Sequence, residues 1–219
     1  MKTIALALVL AVSAVSSATV LTFDDLSLTN YGAIPQYYGD NVTSTNSGPS
    51  GSYLEGNGWT PDVTTSYDTV DGANSTGQMD FWDSGYGDLT NVVFPSVSTW
   101  NGMITLSPTN GKYVVLDSFD MAGWPFVDRY CPVLRILDGA THSVIVNLDG
   151  TLIAGANGHT HFSFGGFSST TGYTLEWGGD WNIGMDNISF HESDTAVPEP
   201  ATMAALGMGL LAIRRRAKK

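Results

Sequence analysis

Between residues 19 and 196 the apolar positions recur in short, roughly alternating runs, and no apolar stripe at helical spacing lasts longer than a turn or two. The strand-like runs are 19–23, 103–106, 112–121, 132–137, 142–148, 158–164, 173–177 and 184–190. Turn residues punctuate them. Ser107-Pro108-Thr109-Asn110-Gly111, with its Asn-Gly step, predicts a hairpin joining 103–106 to 112–121, and Asp138-Gly139 predicts a second one. Short strands repeating at intervals of roughly 8–15 residues predict an all-β, antiparallel two-sheet sandwich. Residues 40–60 and 71–90, rich in Asn, Ser, Thr, Gly and Asp, predict long loops or short strands with wide connections. Val197-Pro198 closes the fold, because proline cannot extend a strand ladder.

Both ends break this pattern, dividing the chain into 1–18, 19–196 and 197–219. Lys2, the apolar run 4–15 and Ser16-Ser17-Ala18 read as a secretory signal peptide, with signal peptidase cutting after Ala18. A permanent anchor is the alternative, but the run falls short of the ~20 residues that span a bilayer. At the other end Val197-Pro198-Glu199-Pro200 precedes the apolar stretch 201–213 and then Arg214-Arg215-Arg216-Ala217-Lys218-Lys219. As a helix this stretch rises only about 20 Å against a ~30 Å hydrocarbon core, which makes a short transmembrane helix and a weak anchor. Its basic end stays cytoplasmic, leaving the body outside.

Charge sharpens the division. Of the 219 residues, 9 are basic and 21 acidic. Between 19 and 196 only Lys112, Arg129 and Arg135 stand against twenty acids, a net charge of −17. Such a body repels phosphate backbones, so nucleic acid is excluded as a partner. A single cysteine, Cys131, excludes a disulfide framework and a thiolate metal cluster, and its apolar neighbours predict a buried, inert thiol.

The tripartite tail resembles the PEP-CTERM sorting signal of bacteria that make exopolysaccharide: the string Val197, Pro198, Glu199, Pro200, the short apolar helix and the terminal arginines all fall in order. The resemblance implies an exosortase as partner, cleavage near the triplet after transient inner-membrane insertion, and a destination outside the cell or on its surface. In the body, Phe23-Asp24-Asp25-Leu26, Leu116-Asp117-Ser118-Phe119-Asp120-Met121-Ala122-Gly123 and Gly184-Met185-Asp186-Asn187-Ile188-Ser189-Phe190 resemble jelly-roll domains that look like carbohydrate-binding modules. That resemblance implies a jelly-roll topology, pairing of the first and last strands, and a structural calcium ion held by acids at both places.

Strict alternation in the last strand sets Asp186, Ile188 and Phe190 on one face. If that face is the core, Asp186 needs neutralising, and a calcium ion shared with Asp24 and Asp25 would do so where cations are scarce. The alternative is that Asp186 caps backbone N–H groups or lies at the sheet rim. Among six tryptophans, Trp59 and Trp82 fall in the predicted loops beside Asp, Asn and Gly. They are the candidates for stacking on the apolar face of a sugar ring, against the alternative that the tryptophans fill core and rim. His159-Thr160-His161 places two imidazoles on one strand face, which is too few for a metal site. No Gly-x-Ser-x-Gly, His-Glu-x-x-His, phosphate loop or calcium-hand spacing occurs. The expectation is an exported surface or matrix protein that binds polysaccharide without catalysis. A polysaccharide-active enzyme and a purely structural adhesion protein are the alternatives.

Overall fold

The structure, a computed structural model, describes residues 17–43 and 58–196. Residues 1–16 of the expected signal peptide 1–18, the sorting motif Val197, Pro198, Glu199, Pro200 and the apolar tail lie outside the described residues. Fourteen strands and no α-helix occur among the described residues, and the strands pair antiparallel.

One sheet runs β12 (Thr160–Ser169), β7 (Tyr113–Gly123), β14 (Ile183–Ser193), β5 (Val92–Pro95), β4 (Met79–Trp82), with β1 (Thr19–Leu21) also on β14. The second runs β10 (Val144–Asn147), β9 (Val133–Asp138), β13 (Tyr173–Gly178), β6 (Asn101–Pro108), β2 (Val63–Asp71), β3 (Asn74–Ser75). A small ribbon joins β8 (Arg129–Cys131) to β11 (Thr151–Ile153). Phe119, Met121, Met185 and Phe190 from the first sheet pack with Tyr67, Ile104, Leu175 and Trp177 from the second in one core. The alternating pattern therefore builds a β-sandwich, as large side chains on one face of each sheet leave water together. First and last strands do pair, Leu21 standing opposite Ile188 and Thr19 opposite Phe190.

Three expectations change. The turn at Asn110 (φ 53°) and Gly111 (φ 73°) has the positive dihedrals its sequence demands, yet β6 and β7 do not form a hairpin. β6 pairs with β2 and β13 while β7 pairs with β12 and β14, so the turn carries the chain from one sheet to the other. Asp138-Gly139 does introduce the β9–β10 hairpin. Second, β2 is a full nine-residue strand where no strand was predicted. Its inward positions include Thr65 and Thr69, whose hydroxyls donate to the carbonyls of Tyr38 and Gln78, so polar letters occupy buried sites without an orphaned group. Segment 71–90 contains the short strands β3 and β4, the second of the two forms expected for it.

Third, the last strand does not alternate strictly. Met185 sits in the core opposite Met121, and Ile188 and Phe190 are core residues as well. Both can hold only because the register shifts between Asp186 and Ser189, with Asn187 at φ 51°. This bulge resets the parity. Asp186 consequently faces away from the core, opposite Asp120 on the outer side of the sheet.

Candidate functional site

That outer side carries a second, smaller apolar cluster. β4 turns Met79 and Phe81 into the core, so Trp82 points outward; β5 turns Val93 inward and leaves Val92 and Phe94 outside. The segment after β4 folds back and seats Tyr86 and Leu89 on Val92 and Ala122, with Trp82 and Trp124 packed against them. Tyr31 arrives beside β4, its N–H donating to the carbonyl of Phe81. Trp181 comes from the connection between β13 and β14, and the hydroxyl of Tyr86 donates to its carbonyl at 3.1 Å.

Together Tyr31, Trp82, Tyr86, Phe94, Trp124, Trp181 and Asn182 line a cleft of about 250 Å³. Tyr86 and Phe94 are buried, Trp82, Trp124 and Trp181 half-buried, and Tyr31 is 55% exposed, so the walls remain open to solvent. Neighbouring rings meet as corners: Tyr31 and Trp82 at 88° with centroids 5.0 Å apart, Trp82 and Trp124 at 70° and 5.9 Å, Phe94 and Trp181 at 73° and 6.3 Å. These are favourable edge-to-face contacts that hold the walls without a ligand.

Two loops supply the outer walls, and an ionic clip ties them. Arg129 donates from Nε to the carbonyl of Trp124 and from Nη1 to Asp180 at 2.7 Å. Asp180 also accepts from the backbone N–H of Asn182 at 3.0 Å and its side-chain amide at 2.7 Å. Trp124 N–H donates to the carbonyl of Asn182 at 2.8 Å. Gly85 closes the approach: its φ is 89°, and a Cβ there would lie 2.9 Å from the Trp124 indole.

Of the two tryptophans singled out from sequence, Trp82 is therefore a cleft wall, while Trp59, 52% exposed, is not among the lining residues. Trp177 is fully buried and donates from its indole N–H to the carbonyl of Ile183 at 3.0 Å. Tyr31, Trp124 and Trp181 were missed as a group. Sequence shows each beside Gly, Pro or Asp but carries no spacing that unites three separate loops.

The acids converge less completely. Asp186 is 5% exposed, accepts from the Asn187 N–H at 2.6 Å, and lies within electrostatic reach of Asp24 and Asp120. Burial, with those two negative neighbours, pushes its carboxyl up to about 8. Asp24 accepts from the Asn91 amide at 2.7 Å. Asp25 accepts from the Tyr38 hydroxyl at 2.9 Å through one oxygen; its other oxygen is buried without a hydrogen-bond partner, and burial raises this carboxyl too. Sequence reasoning missed Asp120, although it stands in the segment 116–123 that carries the resemblance. It holds the Asn187 amide at 3.0 Å and His161 Nδ1 at 2.6 Å, with His159 Nε2 at 3.6 Å. Among the described residues no group of three His, Cys, Asp or Glu side chains stands ready to hold a metal ion. Cys131 is buried, its thiol pushed up to about 12 by burial.

A second hollow of about 320 Å³ lies on the outer face of the other sheet, around Trp100, Asn101, Arg135 and Glu176. Several of its polar groups are already engaged: Asn101 donates to Glu176 at 2.9 Å, and Arg135 pairs with Glu176 at 3.6 Å and, outside the hollow, with Asp149 at 2.7 Å. The aromatic cleft offers the better-defined surface.

Residues 196–219 match the PEP-CTERM protein-sorting motif. No curated protein matches the chain. The motif makes this an exported, cell-surface protein with an exosortase as its processing partner.

Proposed function

We propose that this sorted protein is a non-catalytic polysaccharide-binding component of the cell surface or extracellular matrix, built on a jelly-roll body that grips glycan in the aromatic cleft. The observation that carries the reading is the cleft itself: four open aromatic walls over a buried aromatic floor. Sugar rings present apolar C–H faces to such walls, and concave aromatic sites with few polar groups are the usual form of a small-molecule site. The tail complements this role. It would hold the inner membrane transiently until cleavage near Pro200 frees the body to meet extracellular polymer.

A structural calcium ion belongs to the same proposal. Asp24, Asp25 and Asp186 would hold it, and its chemistry there would be to neutralise carboxylates that lack a cationic partner. The buried, unpartnered oxygen of Asp25 and the buried carboxyl of Asp186 fit a hard cation. Because no three such ligands stand preassembled among the described residues, the ion would complete the site as it binds.

The experiment is a glycan array probed with the secreted protein, alongside an assay for reducing-sugar release. Binding without release is the expected result. Release of sugar would establish the enzyme instead, and self-assembly without binding to any glycan would establish an adhesion or coat protein.

A further inference from the structure

We infer that the cleft selects an uncharged sugar unit at the end or branch tip of a chain and rejects acidic glycans; this rests on reading the cleft as the glycan site. Three observations converge on it.

The first is charge. Lys112, Arg129 and Arg135 are the basic side chains among the described residues, and each is already in an ion pair: with Asp194, with Asp180, and with Asp149 and Glu176. None lines the cleft. A uronate or sulfate entering it would lose water with no counter-charge to replace it, inside a body of net charge −17. An ammonium group is drawn by the same field but finds no carboxylate among the lining residues to replace its water. The acids flanking the walls in sequence are Asp83, which accepts from Asn30 and Ser84, and Asp180, held by Arg129 and Asn182. Neither lines the cleft.

The second is the hydrogen-bonding inventory. The indole N–H groups of Trp82, Trp124 and Trp181 make no hydrogen bond among the described residues, and none is buried out of reach of water. The Trp124 N–H edge lies against Gly85, so the Trp82 and Trp181 N–H groups, the Tyr31 hydroxyl and the Asn182 side-chain carbonyl, all on lining residues, make up a neutral set matched to hydroxyl and ring oxygens.

The third is shape. The wall rings Tyr31 and Trp82 meet at 88°, Trp82 and Trp124 at 70°, and Tyr31 and Trp181 at 45°, which makes a corner over a closed floor, where a flat platform would accept the middle of a chain. The volume, about 250 Å³, lies below the ~300–1,000 Å³ of sites for larger ligands, so it suits one ring inserted end-on.

The test is a tryptophan-fluorescence titration of the secreted, processed protein with four probes. They are a linear neutral gluco-oligosaccharide, a cyclic neutral gluco-oligosaccharide without chain ends, an oligouronate and an oligoglucosamine. Trp82→Ala and Asn182→Ala are run in parallel, with thermal melts confirming that each folds. The linear neutral probe should bind with an affinity insensitive to salt, weakened about tenfold or more by Trp82→Ala. The other three should bind at least about tenfold more weakly. Trp82-dependent binding of the uronate, the glucosamine or the cyclic probe as tight as that of the linear neutral one would overturn the inference while leaving glycan binding intact. Should none of the four bind, the inference falls; should an array of neutral branched glycans also fail, the reading of the cleft falls with it.

Discussion

Asp186 concentrates the chemistry of the body in one carboxyl. Its folded value of about 8 lies above its ordinary 3.8, so the folded state holds the proton more tightly than the unfolded chain does. Stability from this group is therefore complete below about pH 4 and is lost as pH rises towards about 8. In chelator-treated protein, Asp186→Asn should match the wild type near pH 4 and exceed it at pH 8 by roughly 2–5 kcal/mol in denaturant unfolding. Millimolar calcium should reverse that order by stabilising only the wild type. A wild-type melt unmoved by calcium would remove the ion from the account. Gly85 is the other informative residue, since positive φ and the adjacent indole both exclude a side chain. Gly85→Ala should lower stability by more than about 1 kcal/mol and perturb the Trp124 fluorescence that reports on the cleft.

At the scale of elements, β14 decides how much the sequence could tell. The runs 103–106, 112–121, 132–137 and 173–177 became β6, β7, β9 and β13, since each is rich in apolar and β-branched residues between turn residues. β2 escaped notice because Thr65 and Thr69 look polar until their hydroxyls find carbonyls. The Asp186 prediction went astray for a different reason. One extra residue at Asn187 inverts every side chain beyond it, and a period-2 argument has no means of seeing an inserted residue. Asn187→Gly should be tolerated within about 1 kcal/mol, since glycine accepts the φ of 51° even as the contact with Asp120 is lost. Deleting Asn187 should abolish cooperative unfolding by turning Ile188 and Phe190 out of the core, which circular dichroism melts would register. The cleft was legible only as a single wall, Trp82. Tyr31, Trp124 and Trp181 join it through the packing of three connections, and Arg129, one of only three body cations, fastens two of them.

For the whole molecule, topology was more legible than recognition. The sorting tail is a linear signal read along the chain, so its order of motif, apolar stretch and basic end survives in sequence alone. A binding cleft is a surface assembled from distant positions and becomes visible only in the folded body. The two parts make separate predictions. Intact-mass measurement on the secreted protein should give a chain beginning at Thr19 and lacking the arginine cluster, ending near Pro200; a retained Arg214-Arg215-Arg216 would contradict exosortase processing. The central claim, that the exported body holds polysaccharide in its aromatic cleft, is tested most directly by measuring retention of the secreted protein on its host's own extracellular polysaccharide, with wild type and Trp82→Ala compared. The wild type should be retained and the equally folded variant released, an affinity loss of about tenfold or more. Equal retention of both proteins, or of neither, would contradict it.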